Sequence, residues 1–153
     1  MDEISIEGLI LAPLKRIQHP KGDVLHGLKK SDSEYSSFGE AYFSTINNGE
    51  IKGWNKHKMM TLNLIVPFGE VTFVICNKQG SGSTEDEFFK VTLSQKNYKR
   101  LTVPPRLWIA FKGIGNNTNL ILNIANMEHD SNEIEKIDLD KIQYNFDSEL
   151  IKD

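Results

Sequence analysis

The sequence predicts an all-β single domain of the sandwich or jelly-roll β-barrel type, and three observations predict it. Between residues 40 and 126 short runs rich in β-branched and aromatic residues follow one another at close spacing. Clusters of Gly, Asn, Pro and Ser separate these runs, and such residues tolerate tight or left-handed backbone. The helices that a parallel α/β sheet needs for its crossovers are missing, and 153 residues suffice for one core, since a chain of this size buries roughly 70% of its unfolded surface.

Taken in order, the chain opens with an N-terminal arm of about residues 1–38. Pro13, Pro20, Gly22 and Gly27 there alternate with Lys15, Arg16, Lys29 and Lys30, a composition that allows only short strands. The strand runs follow at 40–44, 51–54, 60–67, 70–76, 88–93, 100–103, 107–111 and 119–126. Turns are expected at Asn47-Asn48-Gly49, Pro67-Phe68-Gly69, Gly80-Ser81-Gly82 and Gly113 to Asn117. A C-terminal tail occupies about residues 130–153; its stretch 132–141 is acidic and sets Ile134, Ile137 and Leu139 among charges, a pattern open to a helical turn or an extended tail. The last residues, 147–153, are expected to fray.

Composition removes several function classes. A net charge of -3 gives no electrostatic footprint for a polyanion, so nucleic acid is not an expected partner. The longest mostly apolar stretch, 62–67 with Asn63 inside it, falls far short of the roughly 20 residues needed to cross a bilayer. No membrane partner is expected, and the protein is read as cytoplasmic. Cys76, the single cysteine, sits in an apolar alternation with Val71, Phe73 and Ile75 and reads as a small hydrophobe, with no basic neighbour to activate it.

Metal-binding cupins are jelly-roll barrels that carry two spaced segments: Gly, five residues, His-x-His, three or four residues, Glu, six residues, Gly; then Pro-x-Gly-x-x-His. Both frames are visible here. Gly49, Asn55, His57, Leu62 and Gly69 reproduce the first, and Pro104, Arg106 and Ile109 the second. A bound divalent ion needs about three N, O or S ligands, whereas the four ligand slots hold Asn55, His57, Leu62 and Ile109. The fold class expected is therefore a single cupin-type jelly-roll β-barrel without a metal.

Several segments extend the likeness. Phe38-Gly-Glu-Ala-Tyr-Phe-Ser44, Gly49-Glu-Ile-Lys-Gly-Trp54, Val66-Pro-Phe-Gly-Glu-Val71, Leu101-Thr-Val-Pro-Pro105 with Leu107-Trp108, and Leu122-Asn123 through His129-Asp130 to Tyr144 together resemble the dTDP-4-dehydrorhamnose 3,5-epimerase family, from about Leu11 to Phe146. The resemblance implies an epimerase or isomerase of nucleoside-diphosphate 4-keto-6-deoxy sugars in cell-surface polysaccharide biosynthesis, a homodimer paired through edge strands and the N-terminal arm, and no cofactor. Abstracting a proton beside a ketone requires a base, a donor for the enolate oxygen and an acid on the opposite face. The resemblance places the family's base at Asn55, which cannot accept a proton near neutral pH. Leu62 and Ile109 stand where many short members have polar groups, so a sugar-nucleotide- or glycan-binding cupin without turnover is the alternative. A 4-keto to 3-keto sugar isomerase is a third reading.

Candidate residues follow from this. His57 lies two positions from Asn55, on the same strand face by period-two alternation, and is the candidate replacement base; the competing reading is a histidine held by a structural hydrogen bond, with no orienting carboxylate visible in sequence. His129 and Tyr144 are further catalytic candidates, weighed against a loop cap and a packing aromatic. For substrate binding, Lys52, Lys56 and Arg106 offer charge to a diphosphate, and Asn55 and Trp108 complete the set, with core packing the competing role for Trp54 and Trp108. Thr61 and Asn63 are read as structural.

Overall fold

The computed structural model describes residues 4–79 and 85–147. The turn expected at Gly80-Ser81-Gly82 and most of the fraying end lie outside the described residues. The strands are β1 (Ile10–Pro13), β2 (Arg16–Ile17), β3 (Val24–Leu25), β4 (Glu40–Thr45), β5 (Ile51–His57), β6 (Leu62–Phe68), β7 (Glu70–Asn77), β8 (Glu87–Ser94), β9 (Lys99–Val103), β10 (Trp108–Gly113), β11 (Leu120–Ala125) and β12 (Ile134–Lys136). Two five-stranded antiparallel sheets face each other, ordered β1-β9-β6-β11-β4 and β12-β5-β10-β7-β8, which is the expected jelly roll. Among the described residues no helix is long and apolar enough to cross a membrane.

Between the sheets lies the main core, in which Val66, Val71, Phe73, Ile75, Leu93, Leu101 and Ile121 are buried. The β6–β7 hairpin that closes one end of it turns at Gly69, whose φ is +84°. A Cβ there would lie 2.4 Å from the Asn119 Oδ1 and the Thr118 carbonyl, so a side chain is excluded by both conformation and space. A second cluster covers the outer face of the β12-to-β8 sheet, with Trp54, Val74, Cys76, Trp108, Ala110 and Ile142 buried under Ile137, Leu139, Tyr144 and Phe146. The C-terminal tail therefore does two things after the last long strand: it adds β12 to the sheet edge, and it folds through the short 3-10 helix Leu139–Lys141 across the outer face.

The N-terminal arm holds short strands, as its composition allows, and within the chain it lies against its own barrel. β1 pairs with β9, the buried Arg100 guanidinium donates to the Gly27 carbonyl at 2.9 Å, and the Tyr98 hydroxyl donates to the His26 carbonyl at 2.7 Å. Asn63 is buried and accepts from the Thr102 hydroxyl at 2.6 Å, while the Thr61 amide donates to Asn126 Oδ1 at 2.9 Å. Cys76 is fully buried, and burial, then the charge of Asp86, push its thiol up to about 11.

Candidate active site

Strict alternation along β5 would put Lys52 on the face of Trp54 and Lys56, opposite Asn55 and His57. A β-bulge prevents this. On β10, Ala110 pairs with Gly53 and Ile109 pairs with Asn55, leaving Trp54 as the extra residue, and a bulge of this kind resets which face each side chain takes. Gly53 permits it: its φ is +148°, and a Cβ there would sit 2.5 Å from the Ala110 Cβ. In consequence Lys52, Asn55 and His57 all line a cavity of about 290 Å³ between the two sheets.

The facing wall comes from the other sheet. Along β4, Glu40, Tyr42 and Ser44 point inward, and Asn123 of β11, paired in register with Tyr42, joins them. Deeper, Leu62, Leu64, Phe73, Ile109, Phe111 and Ile121 give the cavity an apolar side. The four positions of the metal-site frame, Asn55, His57, Leu62 and Ile109, thus meet in one place, and among the described residues no group of three or more His, Cys, Asp or Glu side chains is arranged to hold a metal. Lys136 of β12 and the exposed His129 stand at the cavity's polar side. Lys52, also exposed, donates to the Thr45 carbonyl at 2.8 Å.

His57 is not a lone imidazole. Its Nδ1 lies 2.6 Å from Glu133 Oε1, in a pair that is buried on both sides. The second carboxylate oxygen of Glu133 accepts the backbone N–H groups of Met59 at 2.9 Å and Met60 at 2.8 Å. Burial alone would raise the Glu133 pKa, but the hydrogen bonds from His57, Met59 and Met60, with the charge of His57, outweigh it and hold the group below its ordinary value. An ionised carboxylate only accepts, so the proton of the neutral imidazole is on Nδ1 and the lone pair is on Nε2. An oriented imidazole with a free lone pair, in a cavity, has the geometry of a general base.

Four of the sequence-based candidates lie outside the cavity. Lys56 and Trp108 fall on the other phase of their strands, so Lys56 Nζ sits 4.8 Å over the Trp108 ring and 3.4 Å from Glu135 on the outer face. Arg106 is exposed in the turn before β10, with φ +76°, and it is its amide that is engaged, donating to the His57 carbonyl at 2.6 Å. Tyr144 packs on Phe88 and Phe146, with ring centroids 5.0 Å and 5.3 Å away, so the tail's path across the outer sheet gives it an aromatic packing role. Trp54 is likewise buried in the outer cluster.

Sequence reasoning missed Glu133, Tyr42, Glu40, Ser44, Asn123 and Lys136. For β4 a signal was present: Glu40, Tyr42 and Ser44 alternate with Ala41, Phe43 and Thr45, but the usual apolar-in rule reads that pattern backwards where the inward face lines a polar cavity. For Glu133 no local signal exists, because 76 residues separate it from His57.

No family model matches the chain. A solved structure of a dTDP sugar isomerase from Desulfovibrio desulfuricans G20 is 32% identical, superposes with a TM-score of 0.83, and the match covers 88% of this chain and 87% of that one. The dTDP-4-dehydrorhamnose 3,5-epimerase of Bacillus anthracis, solved with TDP and PPi bound, shares the fold at 17% identity and a TM-score of 0.76 over 88% of this chain and 81% of that one. A probable low-salt glycan biosynthesis epimerase of Haloferax volcanii is 23% identical over 105 residues, 67% of each chain.

Proposed function

This chain belongs to the family of dTDP-4-dehydrorhamnose 3,5-epimerases and related dTDP-sugar isomerases, and on that premise we propose that it epimerises or isomerises a nucleoside-diphosphate 4-keto-6-deoxy sugar for cell-surface polysaccharide synthesis. The observation that carries the reading is the buried His57–Glu133 pair at the cavity. His57 Nε2 takes the proton α to the ketone, and Asn55, beside it on the same strand face, uses its amide N–H as a donor to the enolate oxygen. The loss of the expected base at Asn55 is thus a change of role, from proton acceptor to hydrogen-bond donor. The apolar side of the cavity suits a deoxygenated, methyl-bearing carbon, which needs no hydrogen-bond partner.

The test is NMR in deuterated water of nucleotide 4-keto sugars incubated with the protein. Deuterium entering at C3 or C5 is expected; tight binding with no exchange would instead favour a binding module.

Lys52, which lines the same cavity as Lys136 and His129, is the diphosphate-facing group in this reading. A hydrogen bond to a charged partner contributes about 1.5–3 kcal/mol, and the exposure of Lys52 puts it at the lower end. Lys52→Ala is expected to weaken dTDP binding about tenfold in calorimetric titration, and unchanged affinity would remove Lys52 from the site.

The reading also includes a homodimer. On the outer face of the β1-to-β4 sheet, Phe43 pairs with the half-buried Leu122, and Phe43 is 64% exposed whereas Ile65, next in the row, is already buried. A second copy laid on this face would cover it. Light scattering at micromolar concentration is expected to give a dimer, and Phe43→Asp a monomer; a monomeric unmodified protein would contradict this.

A further inference from the structure

The cavity has two ends, and its charges are divided between them. At one end the Lys52 ammonium reaches the Thr45 carbonyl at 2.8 Å, at the close of β4. At the other end Glu40 opens β4. Ala125 of β11 pairs with Glu40 on one side and with Leu62 on the other, next to the 57–60 turn. The loop from β11 to β12 joins the same two points: its His129 amide donates to Glu40 Oε1 at 2.8 Å, and its Glu133 holds His57 at 2.6 Å. Glu40 therefore stands on the sheet facing β5, at the His57 end of the cavity and away from Lys52.

Glu40 is a half-buried carboxylate that lines the cavity, and among the described residues it forms no ion pair. The His129 amide fixes its orientation by occupying Oε1, and among the described residues nothing donates to Oε2. Its charge acts within the cavity: burial, then the negative charge of Glu40, raise the pKa of Tyr42. A nucleoside-diphosphate sugar brings a doubly negative diphosphate, which answers the two lysines that line the cavity, Lys52 and Lys136. The Glu133 carboxylate already accepts three N–H groups. Glu40 is thus the anion left without a counter-charge when an uncharged sugar ring fills the site, and enclosing an unpaired carboxylate is costly.

Resting on the epimerase reading above, we propose that Glu40 Oε2 binds an ammonium group on the sugar, so that the substrate class is a nucleoside-diphosphate 3-amino-3,6-dideoxy-4-keto sugar. The position on the ring follows from His57. A carbon that gives up its hydrogen toward β5 turns its exocyclic substituent away from β5, toward the facing sheet. At C5 that substituent is a methyl, which suits the apolar side of the cavity; at C3 it is the heteroatom, which meets the wall that carries Glu40. A hydroxyl there offers the carboxylate one hydrogen bond. An ammonium offers a charge and up to three donors. Glu40 acts here through substrate selection and takes no part in the proton transfers.

Two probes that lack the ketone, and so do not react, separate binding from turnover: dTDP-3-amino-3,6-dideoxyglucose and dTDP-6-deoxyglucose. In calorimetric titration near neutral pH, the amino sugar is expected to bind the unmodified protein about tenfold more tightly or better. Glu40→Gln removes the charge but keeps an amide oxygen for the His129 N–H. In this variant the ratio of the two affinities is expected to fall to about one, while dTDP itself, bound within several-fold of its original affinity, reports a folded site. Equal affinities in the unmodified protein, or a preference for the amino sugar that survives Glu40→Gln, would overturn the role of Glu40 and leave the epimerase reading standing. Failure of dTDP and of both sugars to bind would instead remove the nucleotide-sugar reading, and this proposal with it.

Discussion

Replacing His57 by asparagine is expected to lower α-proton exchange by about 10²- to 10⁴-fold, the usual loss when a general base is removed, while dTDP affinity stays within several-fold. The reason lies in the division of labour across the cavity. Asparagine at 57 still offers an amide N–H to Glu133, so the carboxylate that anchors Met59 and Met60 keeps a partner. Lys52, the proposed contact to the diphosphate, is untouched. What disappears is the Nε2 lone pair, and Asn55 cannot supply another. Deuterium incorporation followed by NMR measures the step directly, without requiring inversion. Exchange that survives the substitution would mean that the base is elsewhere, with His129, at the cavity's polar side, the next group to replace.

Glu133→Gln is expected to be costly in two separable ways. The native carboxylate accepts three N–H groups, one from His57 and two from the backbone. A glutamine presents one oxygen and one NH2; with the oxygen on the Met59 and Met60 amides, its NH2 faces His57 Nδ1, which accepts only if the imidazole proton moves to Nε2. What is lost is the charge of the acceptor, and a hydrogen bond to a charged group contributes about 1.5–3 kcal/mol. We therefore expect about 3 kcal/mol of lost stability, read as a lower midpoint in urea with an unchanged slope. Exchange per folded molecule should fall as well, because the imidazole loses the partner that fixes its tautomer. Lost stability with undiminished exchange would reduce Glu133 to an anchor for the 57–60 turn.

The same carboxylate fixes the sign of an acid dependence. Its folded-state pKa lies below the ordinary carboxylate value, so its contribution to stability is complete above that ordinary value and is lost as the pH falls through the lowered one. Glu133→Gln should accordingly flatten the acid limb of the stability profile.

Fold and cavity position were legible in the sequence because both rest on local pattern. Turn residues at close spacing and short β runs gave the strands, and the two frames, from Gly49 to Gly69 and from Pro104 to Ile109, located Asn55, His57, Leu62 and Ile109, which the structure brings into one cavity. Period-two alternation sufficed for Asn55 and His57, since no irregularity lies between them.

The remainder depended on long-range geometry. The bulge at Gly53 and Trp54 is a property of how β5 pairs with β10, and it turns Lys52 inward while Trp54 and Lys56 face out. Trp108 follows the same outward phase, and the tail's path over that outer sheet takes Tyr144 away from the cavity while delivering Glu133 to His57. The sequence by itself determined the barrel, the strand order along the chain and one face of β5, because these follow from the local periodicity of the chain. Only the tertiary structure decided that a carboxylate 76 residues away orients the imidazole and that the polar face of β4 points inward. Both are matters of which surfaces the folded sheets bring within a few ångströms of each other, and no short-range pattern encodes them.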